Sequence, residues 1–192
     1  MPIGVGDYGV SALGQLPPIG TAGFPWAQTF DRRLCTGVGF QTTSGTLTMT
    51  AIWLPEGATV TGITFVSGAT AESGGTNLWY ALFNLDLTLL AQSTNDTGAA
   101  AFAANTALRK ALTTPQKLTR SGFYYIGYMS SNSAGAQPTL AVYTCGSVNL
   151  TGNITGMTPI VAGTSSTGQT TTAPNPAAAL TAIAACLYAF VD

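Results

Sequence analysis

The sequence predicts an all-β protein, a β-sandwich or jelly-roll-like domain with an extended N-terminal arm. Three observations predict it. From about residue 41 onward, short runs in which apolar residues alternate with threonine or serine recur along the chain, the period-2 signature of strands. Gly, Pro, Asn and Asp separate these runs at the spacing expected of turns. And 192 residues are enough for one sandwich with a sizeable core but crowd two ordinary domains.

Residues 1–40 read as the arm. Gly, Pro and single apolar residues follow one another without period, as in Leu16-Pro17-Pro18-Ile19-Gly20, and Pro17, Pro18 and Pro25 exclude a helix or a central strand. The arm nevertheless carries Phe24, Trp26 and Phe30, followed by Arg32 and Arg33. These five are the candidate assembly contacts, because an apolar arm needs a surface to lie on, its own or another subunit's.

Residues 41–192 read as the sandwich. Thr46 to Trp53 alternates with threonine on the outer face, and Leu54-Pro55-Glu56-Gly57 turns the chain. Thr59 to Val66 alternates too but slips phase at Gly62, where a bulge is expected. Leu78 to Phe83 is apolar on both faces, as in a mid-sandwich strand or one covered outside by a neighbouring subunit. Asn84 to Leu87 makes a hairpin connection into Thr88 to Gln92, and Gly98 to Ala107 crosses between sheets. Leu108 to Leu112, Gly122 to Met129 and Thr139 to Thr144 supply further strands; Gly146 to Pro176 reads as a long polar surface loop; Ala184 to Val191 closes the domain as a last strand. The count is about eight strands.

Only 7% of residues are charged, six basic against seven acidic, where about a quarter is usual. Normal apolar content and positive mean hydropathy argue that the chain folds. Six basic residues against seven acids give no means of neutralising nucleic-acid phosphates. A near-neutral Thr, Ser, Gly and Ala surface favours self-association, so an obligate oligomer or packed assembly is expected. No apolar run is long enough for a membrane helix. The N-terminus lacks the basic region and apolar core of a signal peptide, so the chain is expected to be made and left in a cytosol unless lysis releases it. Cys35, Cys145 and Cys186 show no metal-binding spacing and read as small buried apolar residues; no metal or other cofactor is expected.

The chain contains no histidine, which removes the commonest general base and the usual Ser/His and Cys/His pairings. What remains for an enzyme is a pair of carboxylates, of which Glu56 with Glu72 is the least implausible. Most of the acids sit in turns that explain them without catalysis, and the reading is that of a non-enzyme. Arg32 and Arg33, and Arg109 and Lys110 with Lys117 and Arg120, read either as solvated strand edges or as partners in inter-subunit ion pairs. Trp79 and Tyr128 are the candidate glycan contacts, with core packing as the competing assignment because alternation puts about half of such aromatics inside.

Leu54 to Gly68, followed by Leu78-Trp79-Tyr80-Ala81-Leu82-Phe83 and Leu89-Leu90-Ala91-Gln92-Ser93, resembles a β-sandwich domain of virion proteins in tailed phages of actinobacteria. Ala101 to Ala107, Ser121 to Gly127 and Leu187 to Val191 are similar to it as well, so the resemblance spans residues 45–192 and leaves the arm outside. It implies the fold and a virion setting, with assembly in a bacterial cytoplasm and release by lysis, and no catalytic residue. Such domains occur in capsid decoration proteins, minor tail proteins and fibres. The expectation is a capsid surface (decoration) protein, by analogy a homotrimer on the major capsid protein. The alternative is a minor tail or fibre protein whose sandwich reads a host receptor or surface glycan.

Overall fold

The computed structural model describes residues 27–97, 102–144 and 160–192. In chain order its strands are β1 Ala27–Gln28, β2 Thr36–Gln41, β3 Thr48–Leu54, β4 Thr59–Val66, β5 Gly75–Phe83, β6 Leu89–Gln92 and β7 Ala107–Lys117. They continue as β8 Gly122–Asn132, β9 Thr139–Thr144, β10 Ala162–Thr164, β11 Thr181–Ala182, β12 Ala185–Leu187 and β13 Ala189–Val191. A 3-10 turn at Arg32–Leu34 stands apart from them, and among the described residues no helix is long and apolar enough to cross a membrane.

The fold is an all-β sandwich of jelly-roll topology. One sheet runs β1-β13-β4-β7, and the other holds β3-β8-β5-β6 extended at one edge by β10 and β11. Counting β1, β3, β4, β5, β6, β7, β8 and β13 as successive strands, the first sheet holds the first, eighth, third and sixth, and the second sheet the second, seventh, fourth and fifth. That interleaving is a double Greek key. Every pairing is antiparallel. A third sheet, β12-β9-β2, flanks the sandwich and contributes Leu140, Val142 and Leu187 to its core.

Between the sheets lie Ile52, Leu54, Val60, Ile63, Phe65, Leu78, Tyr80, Leu82, Tyr124, Ile126 and Tyr128. Phe65 meets the Tyr80 ring edge-on at 4.9 Å and the Tyr128 ring at 5.5 Å, the geometry the aromatic quadrupole favours. The register of β4 against β7 breaks between Val60 and Gly62, where the phase slip predicts a bulge. The surplus residues of β7 let Leu112 bridge to Ser93, which joins the two sheets along that edge. Pro115 is tolerated because β7 is an edge strand.

Four readings of the sequence are corrected. First, residues 27–41 are not arm: β1 and β2 sit in sheets, in runs too short and glycine-rich to show a period. Second, the threonines of β3 face inward. Thr48 and Thr50 share a face with Ile52 and Leu54, while Leu47, Met49 and Ala51 join Trp79, Ala81, Phe83, Tyr125 and Met129 in a second apolar cluster on the far side. Third, the described part of the polar stretch before Pro176 is no free surface loop. It lies over that second cluster, placing Ala173 and Ala177 on it, with Leu47 N–H donating to Ser166 O and Ala177 N–H to Leu87 O. The two-sided strand β5 is thus covered by its own chain. Fourth, the closing run is two strands: β12 pairs with β9 and β13 with β4, the chain changing sheets at Tyr188, whose N–H donates to Ala141 O.

Candidate functional site

A jelly roll gathers its loops at two ends, and here the ends differ. At one end Thr42 N–H donates to Pro138 O, Ser67 N–H to Thr106 O, Glu72 N–H to Phe102 O and Ser73 N–H to Ala136 O. The Ser67 hydroxyl donates to Ala103 O while accepting from Thr106 N–H. These bonds tie four connections to one another and close that end. Beneath them lies a buried polar cluster. Ser130 and Thr42 both donate to Gln137 Oε1, and Tyr80, Tyr128 and Glu72 keep polar oxygens that no protein group hydrogen-bonds. Burial pushes the Glu72 carboxyl above the usual carboxylate range; the Phe102 backbone pulls the other way without bonding either oxygen at proper geometry. The tyrosine hydroxyls are likewise pushed up by burial.

The opposite end carries the short connections 55–58, 84–88 and 118–121. The first and last of these meet through Gly57 N–H to Leu118 O, Leu118 N–H to Ala58 O and Glu56 N–H to Ser121 Oγ. Here the surface is apolar and charged together. Trp53 and Phe123 face each other in register across β3 and β8 and are 53% and 46% exposed, and Leu85 is exposed beside them in the 84–88 connection. They point the same way as the covered cluster, and are exposed beyond the described part of its cover. The charges sort in the same direction. Asp31 pairs with Arg33, Arg109 with Asp192 and Lys110 with Asp96. Among the described residues, the charged side chains outside those pairs are Arg32, Glu56, Glu72, Asp86, Lys117 and Arg120, and Glu56, Asp86, Lys117 and Arg120 all belong to this end. Asp86 accepts from Thr88 N–H, which with the nearby Arg120 holds its carboxyl below the ordinary value.

The sequence-derived site residues are redistributed accordingly. Trp79 and Tyr128 are completely buried, Trp79 under the cover with its indole N–H donating to Thr170 O and Tyr128 between the sheets, so neither presents a face to a sugar. Glu56 and Glu72 sit at opposite ends and make no catalytic pair. Phe24 and Trp26 lie outside the described residues. Phe30 is half-buried against its own chain, 5.4 Å from the Tyr188 ring and 6.1 Å from the Tyr143 ring. Arg33 bonds Asp31 within the chain through both Nε and Nη2, and holds that carboxyl at about 2; Arg32 is exposed. Cys186 is buried beside Phe30, and Cys145 lies outside the described residues. A shallow apolar groove over the third sheet, along Phe40, Val142 and Ala185, gathers no convergent polar groups. The residues sequence reasoning missed are Trp53 and Phe123. The signal in Trp53 was its place at a strand end beside a Pro-Glu-Gly turn; the identity of its partner, 70 positions away, is set by topology alone.

No protein family, curated protein or solved structure matches this chain.

Proposed function

We propose that this protein is a structural component of a tailed-phage virion, a decoration protein on the capsid surface that assembles as a homotrimer. The observation that supports this best is the double Greek key jelly roll, an architecture used by viral capsid domains and lectins. The scarcity of charge fits a surface that neighbours cover. A second reading, a minor tail or fibre protein that reads a host glycan, is favoured by one observation, the exposed Trp53 and Phe123 beside short loops.

Antibody against the purified chain, applied to particles of the phage that encodes it, is the test. Gold label over the capsid faces is expected. Label at the tail tip moves the protein to the second reading, and particles free of the chain overturn a virion role altogether.

A further inference from the structure

We propose that the end of the sandwich formed by Trp53, Phe123 and the connections 55–58, 84–88 and 118–121 binds a neutral saccharide. Trp53 and Phe123 are a register pair on the outward side of β3 and β8, each about half exposed. The C–H faces of a sugar ring are apolar and faintly positive, and complement the electron-rich face of an aromatic ring. The hydroxyls around the ring need donors and acceptors, and the connections at this end supply them in Glu56, Asp86, Arg120 and the Ser121 hydroxyl, all exposed.

Three features favour a sugar over a protein partner. Two aromatic side chains of about 150–250 Å² each, half exposed, offer on the order of 200 Å² of apolar surface, whereas a stable protein interface takes about 800 Å² from each partner. Interface centres are depleted in Glu and Asp, yet Glu56 and Asp86 stand exposed in the connections at this end. And the two acids balance the two bases, so this end has no net charge with which to select an acidic or basic partner.

The site is tested with the full chain on an array of neutral oligosaccharides built from glucose, galactose, mannose, arabinose and N-acetylglucosamine, followed by titration with the best binder. Saturable binding is expected, weakened at least tenfold by Trp53→Ala and less by Phe123→Ala. Trp53→Phe should keep part of it, and Leu34→Ala, an exposed apolar residue of the 3-10 turn, should leave it unchanged. Thermal unfolding of each variant separates lost binding from lost fold. The proposal is overturned if the wild-type chain binds no oligosaccharide, or if binding is indifferent to Trp53→Ala. It is equally overturned if Trp53→Ala splits an oligomer in sedimentation, which makes this end a contact between protein chains. Particle labelling and saccharide binding fail independently, so the loss of one reading leaves the other standing.

Discussion

The two ends of the jelly roll solve the problem of terminating a sheet in opposite ways. One end ties its connections together through backbone hydrogen bonds and seals Glu72, Gln137 and two tyrosine hydroxyls beneath them. The other uses minimal turns, exposes Trp53, Phe123 and Leu85, and keeps unpaired charges in water. Buried backbone groups must find partners, so long loops folded over a core have little freedom to vary. Short turns in water leave their side chains free to serve something else. The difference locates tolerance to change at the open end and stability at the closed one.

The sharpest way to break this comparison uses two glycines in the same left-handed backbone conformation. Gly74, at the closed end, has φ +66°, and a Cβ added there overlaps the carbonyl oxygen of Ala134. Gly57, at the open end, has φ +79°, with no heavy atom within 4 Å of its added Cβ. Gly57→Ala carries only the left-handed backbone cost, about 1 kcal/mol, while Gly74→Ala adds a backbone displacement and is expected to cost about 3 kcal/mol or more. At roughly 2–4 °C per kcal/mol for a chain of this size, thermal unfolding resolves the two easily. Equal losses would show that the closed end is as yielding as the open one.

Glu72 sharpens the same contrast through pH. Its folded-state pKa is raised by burial, so the native state holds a proton that the unfolded chain releases earlier. The stability tied to this group is therefore complete below the ordinary carboxylate pKa and declines as pH rises from there through the raised value. Glu72→Gln removes the ionisable group and keeps the shape. The expected result is a variant more stable than the parent at pH 7, with the gap closing as pH falls toward 4. A variant that loses stability at pH 7 would mean that the ionised carboxylate is held by the fold.

How much of this was legible in the sequence follows from what alternation can and cannot encode. Alternation and turn residues located β4 and the register break at Gly62, and the two-sided apolar run of β5 announced that something covers its outer face. What covers it was not legible: the segment after Ile160 is polar, and it serves as a lid through backbone bonds and small residues such as Ala173 and Ala177. The inward orientation of Thr48 and Thr50 was misread for the same reason. With both faces of a strand buried, polarity no longer marks the outside. In the closing run every residue suits a single strand, and only the pairing partners reveal the change of sheet at Tyr188. The candidate site was illegible because it joins residues that are neighbours across strands and far apart in the chain.

The smallest expected effect concerns the stability of the open end itself. An exposed cross-strand pair contributes about 0.2–1 kcal/mol, and Trp53 and Phe123 are only half covered. Trp53→Ser and Phe123→Ser should each shift the unfolding midpoint by no more than a few degrees, whereas Trp79→Ala, which empties a fully buried indole site under the cover, should cost roughly 3–5 kcal/mol. If Trp53→Ser proves as damaging as Trp79→Ala, then Trp53 is a core residue in solution and the open end is not a free surface. If Trp53→Ser is tolerated, a large aromatic kept in water beside unpaired charges is explained by what it contacts outside the molecule, because the fold does not require it.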